Sequence, residues 1–133
     1  MSDKPFAESC VENRAPILAV LREVFADRSH VLEIGSGTGQ HAVYFAPELP
    51  HLNWQTADVP QHHAGIRLWL AEAALPNVLL PLELDVNRTE WHSGRYDAVF
   101  SANTLHIMGW PEVIRFFEGM GAVLAPGDRK SVV

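Results

Sequence analysis

Three glycines spaced two apart, Gly35, Gly37 and Gly39, follow directly on the apolar run Val31-Leu32-Glu33-Ile34 and lead into a helix-like segment that opens at Gln40. An apolar run, a glycine-rich turn and a helix in that order form the first strand-to-helix unit of an open α/β sheet. A residue without Cβ lets the backbone turn this tightly and lets a ligand come close to it. The spacing is distinctive as well. A dinucleotide fingerprint reads G-x-G-x-x-G, whereas here the third glycine comes one residue early and Gln40 stands where the last should be.

The rest of the chain repeats the unit. Ile17, Leu18, Leu21, Val24 and Phe25 recur at helical spacing, which predicts a leading helix with Asn13 as its N-cap and Pro16 in its first turn. The first strand is expected over 30–34, and a second helix from Thr38 until Pro47 stops it. Asn53 to Asp58 reads as a second strand ending on an acid. Pro60 opens a third helix, with Ile66, Leu70 and Ala73 on one face. Asn77 to Asp85 is a third strand, and Pro81 inside it suits an edge position. Tyr96 to Asn103 is a fourth strand. Pro111 to Leu124 is a last helix, with Val113, Ile114, Phe116, Phe117 and Met120 as its apolar face. Strands alternating with helices imply a parallel sheet with right-handed crossovers. The expected class is therefore α/β, a Rossmann-like open parallel sheet, with one domain over 9–127.

At 133 residues the chain has room for one domain with a real core. A net charge of −6 argues against a general nucleic-acid or anionic-membrane surface. Cys10 is the only cysteine, which excludes an internal disulfide and a cysteine-based zinc cage. There is no signal-peptide core at the N-terminus and no membrane-length apolar run, so a cytoplasmic domain is expected. Seven histidines raise a metal reading. His62 and His63, read as extended, point to opposite faces, and no H-x-x-x-H or H-E-x-x-H pattern occurs, so no metal site is expected.

In such sheets the ligand lies beyond the carboxyl ends of the strands. Glu33 with the loop Gly35-Ser36-Gly37-Thr38-Gly39, then Asp58, Asp85 and Asn103, fall at those ends. Asp58 lies about twenty residues past the glycines, where an acid accepts hydrogen bonds from ribose hydroxyls of a dinucleotide or of an adenosine-bearing cofactor. The Glu-x-Gly-x-Gly-x-Gly pattern resembles the first motif of class I S-adenosylmethionine-dependent methyltransferases. Asn13-Arg14-Ala15-Pro16-Ile17-Leu18, the Gly-Thr-Gly-Gln-His-Ala core within 32–45, Pro50-His51-Leu52-Asn53-Trp54-Gln55 and Asn103-Thr104-Leu105-His106-Ile107 resemble more closely the methyltransferase-like twenty-six family and its bacterial members.

That resemblance implies S-adenosylmethionine as cofactor, held by Glu33, Gly35, Ser36, Gly37, Thr38, Gly39, Asp58, Asp85 and Asn103. It places Asp85 at the adenine amine, and Asn103 where the methionine end of the cofactor meets the substrate. The implied activity is methyl transfer to an unidentified small molecule or protein. His106, and after it His41, are the candidate bases where the acceptor must lose a proton. The rivals are an NAD-dependent oxidoreductase, disfavoured by Gln40 and Asp85, and a non-catalytic S-adenosylmethionine-binding module.

The end of the chain departs from the family. Leu124-Ala125-Pro126-Gly127 resembles the turn into a fifth strand, but Asp128-Arg129-Lys130-Ser131-Val132-Val133 follows in place of an apolar run. These six residues match the translation of a common short-read sequencing adapter. The expectation is that 128–133 are not native, that the natural protein is longer, and that the sheet lacks its last strands. An unpaired edge would then promote self-association.

Overall fold

The computed structural model describes residues 4–87, 96–102 and 109–124, and the backbone of 129–132. The elements run α1 (Glu8–Val24), β1 (His30–Glu33), α2 (Gln40–Glu48), β2 (Asn53–Asp58), α3 (Pro60–Ala73), β3 (Val78–Glu83), β4 (Ala98–Ser101), α4 (Trp110–Val123) and β5 (Arg129–Val132). The strands form one sheet in the order β3-β2-β1-β4-β5, every pairing parallel. This is the expected Rossmann-like architecture. The order reverses between β1 and β4, and a ligand crevice opens at that switch point.

Alternation along the strands divides the core between the two faces. Val31, Trp54, Ala98 and Phe100 pack with Ile17, Leu18, Leu21, Phe25 and Phe45 on the α1–α2 side. Leu32, Ile34, Ala57 and Val99 pack with Phe116 and Met120 of α4 on the other side. Trp54, Phe45 and Phe100 are fully buried and meet at centroid distances of 5.6–5.8 Å. Each large apolar side chain taken from water contributes roughly 1.5–3 kcal/mol before ordering costs, so this trio anchors the α1–α2 face.

Pro81 does lie on an edge strand. The β2–β3 register passes from Gln55 opposite Leu79 to Ala57 opposite Leu82, so Leu80 and Pro81 form a bulge opposite Thr56. A bulge at an edge accommodates the missing proline N–H. Gln55 Nε2 donates to Leu80 O at 2.7 Å and Thr56 Oγ1 to Leu79 O at 2.8 Å, which occupies the carbonyls of the bulged segment.

Several expectations are corrected. α1 starts at Glu8, so Asn13 is not its cap and Pro16 lies in its interior. The start is set by a distant contact, since Ala7 N donates to Gln40 Oε1 at 2.6 Å. α2 runs one residue past Pro47. On α3, Ala73 is exposed while Ile66 and Leu70 are buried. On α4, Phe116 and Met120 are buried, but Ile114 and Phe117 are 45% and 42% exposed, because the helix meets the sheet along a narrower stripe than its apolar content suggests. The sheet does not end at β4. Residues 129–132 pair with it in parallel as β5, because edge pairing is made by backbone groups and does not require an apolar run.

Candidate functional site

The glycine loop is built from residues that hold each other in place. Gly35, Gly37 and Gly39 all have positive φ, at 74°, 60° and 94°. That conformation strains any residue with a Cβ, and it explains the alternating spacing. At Gly39 a Cβ would also press on α3, 3.2 Å from Ile66 Cα. The loop is tied to β2, with Gly35 N and Ser36 N both donating to Ala57 O at 3.0 and 2.9 Å. Ser36 Oγ accepts from Ala57 N at 2.9 Å and donates to Glu33 Oε1 at 3.0 Å. Trp54 Nε1 donates to the same Glu33 oxygen at 3.0 Å. Burial pushes the Glu33 carboxyl up to about 7, although both hydrogen bonds pull it back and the nearby Asp58 pushes it further.

Asp58 closes the cleft opposite the loop. Its Oδ2 accepts from Gly37 N at 2.7 Å and lies 3.0 Å from His62 Nδ1, and its Oδ1 accepts from Val59 N at 2.7 Å. A cleft of about 220 Å³ is lined by Ala7, Ser9 and Cys10 of the N-terminal segment and α1, by Gly35–Thr38 and His41, by Asp58 and His62, and by Ala102 after β4. His41 is buried, stacks on Phe45 at 5.2 Å, meets Phe100 edge-on and shares a 3.2 Å hydrogen bond with Asn13 Oδ1. Burial lowers its imidazole to about 4. Burial likewise raises the Cys10 thiol, partly offset by a hydrogen bond with Thr38.

The structure thus brings together Gly35, Ser36, Gly37, Thr38, His41 and Asp58 in one cleft. Glu33 lies beneath the loop, at 2% exposure, and braces it. Gly39 caps α2 against α3. Asp85 follows β3, half-buried, with its Oδ1 accepting from Asn87 N, and it is not among the cleft-lining residues. Asn103 and His106 lie outside the described residues. Sequence reasoning missed Cys10 and His62 as cleft residues. His62 and His63 stand in the first turn of α3, not in an extended segment, and both turn back to Asp58. His62 meets its carboxylate and His63 Nε2 lies 2.7 Å from its carbonyl oxygen. The four-residue spacing from Asp58 to His62, with a helix opened by Pro60, was the signal available. Among the described residues no cluster of His, Cys, Asp and Glu is placed to hold a metal ion, and no helix is long and apolar enough to cross a membrane.

Comparison with known proteins gives a consistent result. The tuberculostearic acid methyltransferase UfaA1 of Mycobacterium tuberculosis is 29% identical over 99 residues, 74% of this chain and 22% of that protein. The S-adenosylmethionine-dependent methyltransferase SibL, solved in its apo form, matches with a TM-score of 0.83 and 25% identity over 93% of this chain and 36% of SibL. CalS10, an amino pentose methyltransferase from Micromonospora echinaspora solved with S-adenosylmethionine bound, matches at 0.66 and 26% identity over 91% of this chain and 49% of its own. The chain therefore spans about a fifth of the curated relative and less than half of either structure. A family described as "Protein of unknown function (DUF938)" matches residues 4–132. With the fold of S-adenosylmethionine-dependent methyltransferases and a family match over nearly its whole length, the chain belongs to the DUF938 family.

Proposed function

We propose that this chain is the cofactor-binding part of an S-adenosylmethionine-dependent methyltransferase, related to the methyltransferase-like twenty-six family, whose acceptor is a small molecule or a protein. The observation that carries the reading is the 2.7 Å contact between Gly37 N and Asp58 Oδ2. It supports the reading because it holds a carboxylate able to accept from a ribose diol against a loop whose backbone leaves room for a nucleoside. The oxidoreductase reading is weaker. Gln40 is 7% exposed, and its Oε1 accepts from Ala7 N and Thr38 Oγ1. It thus fills the place where a dinucleotide site needs a glycine for close helix–strand packing.

When bound, S-adenosylmethionine supplies a methyl group activated by its sulfonium. The chain's residues hold and orient. Asp58 would accept from the ribose diol, the Gly35–Thr38 backbone would line the nucleoside and methionine portions, and Glu33 would keep the loop in register through Ser36. Asp85 is proposed at the adenine side and Asn103 at the methionine end. His106 is the proposed base for an acceptor that must lose a proton. His41, with its imidazole lowered to about 4, is a weak proton acceptor at neutral pH, and packing of the cleft wall is its better-supported role. Calorimetric titration with S-adenosylhomocysteine tests the reading. Binding is expected, NAD should give no heat, and Asp58→Ala should weaken binding about tenfold or more through loss of charge-assisted hydrogen bonds. Binding of NAD in place of S-adenosylhomocysteine would overturn it.

A further inference from the structure

We propose that His62 is a positioning residue that holds the Asp58 carboxylate and yields it to the ribose hydroxyls of an incoming nucleoside, so that it competes with the cofactor for this site; this rests on the cleft taking S-adenosylmethionine. The argument is a count of acceptor sites. An ionised carboxylate offers about four. Among the described residues three are taken, by Gly37 N and His62 Nδ1 on Oδ2 and by Val59 N on Oδ1. A ribose diol donating both hydroxyls needs two, and one is left. Gly37 N and Val59 N belong to the backbone of the glycine loop and of the entry to α3, and leave only if the fold changes. The side chain of His62 is 53% exposed, against 10% for Asp58, and it swings out by rotation about its own side-chain bonds. It is the one partner that gives way at low cost. Because His62 lines the same cleft, the displaced imidazole stays beside the ligand.

The contest predicts that freeing the carboxylate tightens binding. His62→Ala removes the competing donor and leaves Gly37 N and Val59 N on Asp58. His62→Asn keeps a donor near the Nδ1 position and should bind as wild type does. His63→Ala is the matching control, since among the described residues the His63 ring meets the Asp58 carbonyl oxygen and not its carboxylate. S-adenosylhomocysteine affinity is measured by calorimetry at one pH, with folding of each variant checked by circular dichroism. His62→Ala should bind about two- to fivefold more tightly than wild type, as release of one exposed pair implies, while His62→Asn and His63→Ala should not. Equal or weaker binding by a folded His62→Ala variant would overturn the role of His62 while leaving the cofactor reading intact. No binding by the wild-type chain would overturn both.

Discussion

The Glu33 carboxyl accepts two hydrogen bonds on one oxygen, from Trp54 and Ser36, in a site that is 2% exposed. Its pKa is raised from 4.5 to about 7, mainly by burial. The folded chain therefore keeps a proton there over a range in which the unfolded chain has lost it. The associated stability is complete below the unfolded value and is lost as pH rises through about 7. The loss amounts to up to about 3 kcal/mol. His41 acts in the opposite sense. Its imidazole is lowered from 6.5 to about 4, so the unfolded chain takes up a proton first and stability drains away as pH falls below the unfolded value. Where the two ranges overlap, from pH 4.5 to 6.5, the slopes oppose each other. Glu33→Gln removes one of them while an amide oxygen still accepts from Trp54 and Ser36. Urea unfolding of this variant should show stability higher than wild type by about 1–3 kcal/mol near pH 8. Toward pH 5 it should show the uncompensated decline due to His41. If wild type and variant keep the same pH slope, Glu33 ionises in the folded chain as it does in the unfolded one.

The N-terminal segment before α1 shows how elements far apart in sequence shape the cleft. Pro5 lies on α3 so closely that a Cβ at Gly65 would come within 2.7 Å of its Cγ. Trp69 Nε1 donates to Pro5 O at 2.7 Å, and Lys4 Nζ sits 3.8 Å from the Trp69 ring centroid and 2.8 Å from Glu72 Oε1. Gly65→Ala adds helix propensity but lifts this strap. Exchange of the Ala7 amide, which is held by Gln40, should then speed up about tenfold, as loss of a hydrogen bond of ordinary strength implies. An unchanged Ala7 exchange rate would mean that Pro5 moves aside without loosening the segment. Such contacts mark the limit of what the sequence reveals. The β1–loop–α2 unit was readable because its backbone geometry demands glycine at 35, 37 and 39, and β3 was placed at the edge by one proline. The start of α1 was not readable, since it depends on a bond from Ala7 to Gln40 rather than on a local cap. Within the site, Asp58 and the loop could be paired from spacing alone. Cys10 enters the cleft only through the way α1 packs, which no local pattern encodes, whereas the one signal for His62 is its four-residue spacing from Asp58 across the helix start at Pro60.

At the scale of the whole molecule, the same strands carry both cores. Val31 and Leu32 on β1, and Val99 and Phe100 on β4, are neighbours in sequence that face opposite sides of the sheet. Neither face can lose its packing while the other keeps its strands in place, so the two sides should melt together. The cleft reinforces this coupling, because its wall is drawn from the segment before α1, α1 itself, the loop after β1, α2, the end of β2, α3 and the residue after β4. A ligand there ties α1, α2 and α3 to the ends of β1, β2 and β4, the strands on which both cores are built. At about one hundred times its dissociation constant, S-adenosylhomocysteine should stabilise the fold by about 2.7 kcal/mol. For a chain of this length that corresponds to a Tm increase of about 10 °C. Far-UV circular dichroism reports the helices, and intrinsic fluorescence reports the buried Trp54 together with the other tryptophans. Both should shift by the same amount and retain one transition with and without ligand, and Asp58→Ala should cut the shift at the same ligand concentration to about half or less. Two separated transitions, or a ligand that moves one probe and not the other, would mean that the sheet's faces unfold independently and that the cleft binds to one of them alone.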